Sequence, residues 1–327
     1  MVTLKDIARL ADVSPSAVSR YLNGGSISEE KAQRIRKVVE ETGYRPNPVA
    51  QTLRTGLLKQ IGVIVPRINS YSVSRVVAGI SRYATEKGYS LILCSTVGND
   101  AEETRLLKVM QENQVSGVIL MGTALTPEKK ELFQSFSVPL VITGQNFPDL
   151  HCVYHDDYGA ASALAEKMVE RGRRHIVYVG VNERDLATGV ARRKGAFDVL
   201  EASGLSAAKL LALDYSVESG YQCGKRILEE YPDTDGVICA TDKLALGAMR
   251  MFMEAGKKLP DDISICGIGD DWADALVTPS LTSVRLQHEK CGVDAAEMLF
   301  QCIENKNEYI PPYQNKLGYM VIERDSI

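Results

Sequence analysis

Near the start of this 327-residue sequence, Ser14, Pro15, Ser16, Ser19 and Arg20 fall off the apolar stripe of a short helix whose inward residues are Val18, Tyr21 and Leu22. A guanidinium held in that way can make a bidentate contact to guanine in a major groove, and serine hydroxyls can reach bases or phosphates. A second constellation, His151 and His155 followed by Asp156 and Asp157, has the i, i+4 spacing of two metal ligands on a helix. However, "LHCVYHD" has strand composition, and four strand residues would separate the imidazoles by about 13 Å, so no metal site is expected. GxSxG, P-loop and HExxH patterns are missing, and Gly267-x-Gly269 lacks the third glycine and helix start of a dinucleotide loop. Neither an enzyme nor a bound cofactor is expected.

Short helices must position the head residues. Leu4, Ile7, Ala8 and Ala11 form one stripe, started by Thr3 with Asp6, and Ser14 with Pro15 starts the next helix. Only "DVS" separates the two, so they must cross steeply, with Asp12 at a left-handed turn position that Asp tolerates. A third helix is expected from Glu29 to Thr42, started by Ser28, ended by Gly43, with Ile35, Val38 and Val39 inward. On pattern alone such helices could be either a DNA reader or a small packed bundle; the polar residues left off the stripe point to DNA.

Residues 1–56 hold nine Lys/Arg against six Asp/Glu, and the remainder 29 against 36, a basic head on an acidic body. A hydrophobic share of 45% with 24% charged residues is ordinary for a globular protein. No apolar run is long enough to span a membrane and no secretory leader is visible, so a cytoplasmic location is expected. Seven cysteines are scattered singly in apolar runs, as reduced buried thiols would be.

After a connector, "YRPNPVAQTLRTGLLK", the rhythm changes. Short apolar runs such as "QIGVIVP", "VSGVILMG", "HIVYVG" and "ISICGIG" alternate with amphipathic stretches at 73–87, 101–113, 158–172 and 242–256. This βαβ alternation implies parallel sheets covered by helices, and about ten strands suit two sheets better than one.

"VTLKDIARLADVSPSAVSRYLNGG" with "GYRPNPVAQTLRTG" after it resembles the lactose/galactose repressor (LacI/GalR) family of bacterial transcription regulators. The likeness continues through "VPLVITG", "RRHIVYVG", "ATDKLALGAMRMF", "LPDDISICGIGDD" and "TPSLTSVRL", in order, across essentially the whole chain. It implies an all-α helix-turn-helix head plus hinge helix, followed by an α/β periplasmic-binding-protein-like domain of two Rossmann-like subdomains. The domains would be 1–46 for DNA binding, 47–58 for hinge helix and linker, and 59–327 for effector binding and dimerisation. Within the last, one lobe would span about 59–155 and 286–308, and the other about 156–285 and 309–327.

The resemblance places Pro15, Ser16 and Arg20 at base-reading positions, with Ser14, Ser19 and Asn23 on the same DNA-contacting helix. It makes Asn47, Ala50 and Leu53 a minor-groove hinge, where Leu53 either wedges between base pairs or staples against the core. In open α/β sheets ligands sit at the carboxyl ends of strands, which selects Arg67, Asn69, Tyr71, Gln145, Asp185, Arg192, Thr241, Asp242, Asp270 and Trp272, and the resemblance adds Tyr215 as an aromatic position lining the pocket. Planar polar groups and aromatic rings of this kind recognise sugars. Arg192 matches the family's ligand-binding arginine, or is a solvated charge beside Arg193 and Lys194. The family's usual Asp is replaced by Gly269, so Asp270, Asp271 or Trp272 would compensate, unless Asp270 is structural in the strand-to-loop turn.

The expected function is a sequence-specific repressor of carbohydrate-utilisation genes, controlled by a sugar or sugar phosphate in the interlobe cleft. "GVNERDLATGVARRKG" favours the sucrose- and trehalose-responsive type. Expected partners are pseudo-palindromic double-stranded operator DNA and a second copy of the chain. The alternatives are a sugar-binding transport protein, with the same body but no basic head, and a sugar-modifying enzyme.

Overall fold

The computed structural model describes residues 2–22, 25–44, 58–305 and 308–327, which fall into two compact units that divide between Leu58 and Lys59. In the first unit α1 (Leu4–Leu10), α2 (Pro15–Leu22) and α3 (Glu29–Thr42) enclose one small core of Ile7, Ala8, Ala11, Val18, Ile35 and Val38. Each helix is delimited by local chemistry. Thr3 and Asp6 form a reciprocal capping box, and Gly43 ends α3 at φ +60°. Asp12 takes the turn at φ +49°, as its position predicts.

The second unit contains two six-stranded sheets. The first runs β11 (Gln314–Leu317), β5 (His151–His155), β4 (Leu140–Thr143), β3 (Val115–Met121), β1 (Leu58–Val65), β2 (Ser90–Ser95). The second runs β12 (Tyr319–Ile322), β10 (Thr282–Leu286), β9 (Ser264–Ile268), β8 (Gly236–Cys239), β6 (Ile176–Gly180), β7 (Ala208–Leu211). The registered pairs are parallel except that β12 runs antiparallel to β10. Fully buried runs such as Val118–Leu120 and Val237–Cys239 fit strands covered on both faces.

The helices of the first lobe are α4 (Tyr71–Glu86), α5 (Asp100–Glu112), α6 (Pro127–Gln134) and, late in the chain, α11 (His288–Glu304). Those of the second are α7 (Asp157–Glu170), α8 (Arg192–Ala202), α9 (Val217–Glu230) and α10 (Asp242–Glu254), with a π-helical turn at Leu186–Ala191 leading into α8. Gly79 and Gly292 let α4 and α11 approach closely: a Cβ on Gly292 would lie 2.0 Å from the Val76 carbonyl oxygen. The chain passes between lobes after β5, after β10, and at Gly318 between β11 and β12. The last crossing corrects the boundary expected near residue 309, because β11 pairs with β5 and stays in the first lobe. Gln314–Leu317 is too short and polar a run to advertise a strand.

Five cysteines are buried, Cys94 and Cys302 are half-buried, and all seven are free thiols. Among the described residues no helix is long and apolar enough to cross a membrane.

Candidate functional site

In the head, Pro15, Ser16 and Arg20 are exposed along α2 while Ala17 and Val18 face the core. The Ser14 hydroxyl accepts from the Ala17 amide at 3.2 Å and bonds the Ser16 hydroxyl at 2.9 Å, fixing the start of the helix. Arg20 Nε donates to the Ser16 carbonyl at 3.4 Å, so the guanidinium lies along the exposed face. Ser19 is a correction: it is 7% exposed and turned inward. At 100° per residue it falls beside Leu22 on the edge of the buried arc, so it does not belong to the exposed reading face. Asn23, Asn47, Ala50 and Leu53 lie outside the described residues.

The second site is a cavity of about 360 Å³ between the carboxyl ends of the two sheets. Side chains from both lobes meet across it. Gln145, after β4, donates through Nε2 to Asp185 Oδ1 at 3.0 Å and accepts the Ala187 amide at 3.1 Å. Tyr215, after β7, donates its hydroxyl to the other Asp185 oxygen at 3.0 Å, and the Arg67 guanidinium lies 4.0 Å over the Tyr215 ring. Burial and the Asp185 carboxylate push the Tyr215 phenol up, so it stays protonated and donating. Lys243 Nζ reaches the Asn69 carbonyl at 3.4 Å.

Arg192 lies deeper. Its Nε donates to Asp157 Oδ1 at 2.7 Å and its Nη1 to the Ala240 carbonyl at 2.6 Å. At 7% exposed, it is not a solvated charge. Burial lowers its pKa but the Asp157 charge outweighs that, leaving it above the ordinary value and cationic. Hydrogen bonds from Ser216 and Ser219 push Asp214 down to about 2. The lining is acidic: Asp157, Asp185, Asp214, Asp242 and Asp271 outnumber Arg67, Arg192 and Lys243.

Asp242 lies against Gly269. It opens α10, is almost fully buried, accepts the Ser283 hydroxyl at 2.6 Å and the Asp271 amide at 3.1 Å. Gly269 sits at φ +149°, and a Cβ there would lie 2.6 Å from Asp242 Oδ2. The Asp242 carboxylate thus occupies the space that a side chain at 269 would need. Burial raises Asp242 to about 6, and burial with the charge of Asp242 raises the neighbouring Asp274.

Of the cleft residues selected by sequence, Arg67, Asn69, Tyr71, Gln145, Asp185, Arg192, Tyr215, Thr241 and Asp242 line this cavity. Asp270 and Trp272 do not. The Asp270 carboxylate is bound by Arg285 at 2.6 Å and Arg324 at 2.5 Å on a turn at φ +51°, the structural alternative. Trp272 is 68% exposed beyond the lining. Sequence reasoning missed Thr143, Asp214 and His288 as lining residues, and met His155 and Asp157 only in a metal candidate. Their signal was positional: each closes or immediately follows an apolar strand run.

Residues 3–47 match the model of bacterial regulatory proteins of the lacI family, and residues 165–327 match a periplasmic binding protein-like domain. The sucrose operon repressor of Staphylococcus xylosus is 33% identical over 306 residues, covering 94% of this chain and 95% of that protein. The chain belongs to the lacI family. Catabolite control protein A of Priestia megaterium is 30% identical over 303 residues, covering 91% of each chain. The crystal structure of the lac repressor dimer bound to operator and the anti-inducer ONPF has the same fold, with a TM-score of 0.89 at 24% identity, covering 99% of this chain and 98% of that one. As a lacI-family member the chain is a DNA-binding transcription regulator, and the transport-protein alternative is not favoured. Its relatives being regulators also makes an enzyme unexpected.

Proposed function

We propose that this regulator is a cytoplasmic homodimer that represses carbohydrate-utilisation genes at a pseudo-palindromic operator and is switched by a sugar of the sucrose or trehalose type. Pro15, Ser16 and Arg20 read bases from the exposed face of α2. The interlobe cavity receives the sugar, with Arg67, Asn69, Tyr71, Gln145, Asp185, Arg192, Tyr215, Thr241 and Asp242 around it. The observation that carries the effector half is the Gln145–Asp185–Tyr215 chain, in which residues of both lobes bond one another across the cavity. Carboxylate and amide groups of this kind exchange readily with sugar hydroxyls. A ligand that replaces those bonds changes the angle between lobes, and in a dimer the spacing of two DNA readers follows. The similarity to a sucrose operon repressor supports the choice of sugar.

The test is operator binding of the full chain to DNA upstream of its gene, titrated with sucrose, trehalose and their 6-phosphates. One of these is expected to shift operator affinity, and operator to shift affinity for that sugar by the same factor, since the coupling is reciprocal. Operator binding indifferent to every sugar would refute the effector assignment. Product analysis after incubation is expected to return the sugar unchanged.

A further inference from the structure

The base of the cavity contains polar groups that the sugar reading has not used. His155 is the last residue of β5 and His288 the first of α11, so the imidazoles flank two of the crossings between lobes. Their rings meet edge to face, with centroids 5.1 Å apart and planes at 76°. Both residues line the cavity, as does Thr143 at the end of β4. His155 Nε2, His288 Nε2 and Thr143 Oγ1 are all buried with no hydrogen-bond partner, while His155 is 7% and Thr143 1% exposed. Buried polar atoms without partners are rare because each has lost its water for nothing. With Thr241 Oγ1, four such atoms belong to residues lining one cavity, and together they mark a surface shaped for something that is bound there.

The state of His155 defines what that is. A neutral ring that carries its proton on Nδ1 presents Nε2, which has no partner, as a bare lone pair. The charges facing the pair are Asp157 at the start of α7, Arg192 of α8 and Arg75 of α4. Glu289, next to His288 on α11, is bound to Arg75 and Arg82. Burial with Arg192 outweighs Asp157 at His155, and burial with His155, Arg192 and Arg75 acts in one direction at His288, so both rings are held neutral. A lone pair needs a donor. A sugar hydroxyl supplies one and can also accept from Thr143, whereas a phosphoryl group at neutral pH offers only acceptors.

We propose that Thr143, His155 and His288 form a subsite at the hinge that binds the hydroxyls of an uncharged sugar ring. The inference rests on the sugar reading above and adds to it a place and a polarity. Because His155 and His288 sit at two crossings, a ring bridging them fixes the backbone that must turn when the lobes move. Any charged part of the ligand is thereby oriented away from the hinge.

The experiment is calorimetric titration of the full chain with sucrose, trehalose and their 6-phosphates, repeated with His155→Leu, His155→Gln and Thr143→Val. For a sugar that binds, His155→Leu is expected to weaken binding about tenfold, the worth of one well-placed hydrogen bond. His155→Gln, whose amide oxygen can accept, is expected to restore much of it. A merely structural histidine would not be rescued in this way. Monodeoxy forms of the same sugar are expected to include one that loses affinity for the wild type and not for His155→Leu. Thr143→Val keeps nearly the same shape and decides the matter should His155→Leu fail to fold: weakening of threefold or more supports the subsite, and unchanged affinity overturns it. Full affinity in both His155→Leu and Thr143→Val would overturn the subsite while leaving the sugar reading intact. No binding of any of the four sugars by the wild type would overturn the sugar reading itself.

Discussion

The DNA-reading head and the interlobe cavity solve opposite problems. In the head, the side chains proposed to act are exposed on one face of α2, and the core beneath them consists of other residues. In the cavity, the proposed ligand groups are themselves buried and bonded: Gln145 to Asp185, Tyr215 to Asp185, Arg192 to Asp157. A contact to an outside partner can be removed from the head without disturbing its fold. In the cavity, recognition and folding share the same atoms, so a substitution there changes both.

The strongest challenge to this contrast is Asp157→Ala. It would leave the Arg192 guanidinium buried without its counter-ion, and breaking a buried pair from one side costs about 3–5 kcal/mol. Urea denaturation of the effector unit should show a loss of this size, together with loss of sugar affinity. A variant as stable as the wild type would mean that Arg192 relaxes to solvent and that the cavity is as separable from the fold as the head.

Arg20→Ala tests the other side. Affinity for the specific operator should fall by about 1–3 kcal/mol, random DNA should be bound nearly as before, and thermal stability should not change. Equal losses on both DNAs would reduce Arg20 to a phosphate contact. A fall in stability would show that the exposed face is part of the head's own structure.

This contrast also explains what could be read from the sequence. The head was legible because helix period and caps are local: Thr3, Asp12 and Gly43 all act within a few residues of where they stand, while Ser28 marks the start of α3 without a side-chain capping bond. Ser19 was misplaced because a small polar residue at the edge of a stripe has no signature of burial. In the body, strand ends announced eight of the lining residues and the family resemblance added Tyr215. His288 escaped because its role depends on a crossing that brings it to His155, more than a hundred residues away in sequence, and Asp157 because its partner Arg192 stands on another helix. Asp270 was ambiguous until Arg285 and Arg324 came to it from β10 and the C-terminal segment.

A third prediction concerns Asp274, fully buried behind Asp242. Burial and the Asp242 charge raise it to about 9, above the ordinary carboxylate value. Between the unfolded value near pH 4 and that raised value, the folded protein keeps a proton that the unfolded chain has released. The contribution of this proton to stability should therefore be full at acid pH and decline as pH rises, by at most about 1.4 kcal/mol per pH unit. Asp274→Asn removes that proton's contribution and should flatten the decline between pH 5 and 8 in denaturation curves. A slope unaltered by the substitution would assign the decline to other groups. No such dependence is expected of the head, whose carboxylates are exposed.

The smallest effect expected lies in the head, where it marks the limit of the contrast. Thr3 is exposed, yet its hydroxyl accepts the Asp6 amide at 3.3 Å while Asp6 accepts the Thr3 amide at 3.0 Å, so the start of α1 depends on it. Thr3→Ala should cost about 1 kcal/mol. Because α1 packs against both α2 and α3, the loss should appear as faster amide hydrogen exchange throughout the head, with exchange in the two sheets unchanged. Faster exchange confined to the first turn of α1 would mean that the helix frays without loosening its neighbours. An exposed residue would then be free to vary even where it caps, and only the faces that meet DNA would constrain the surface of the head.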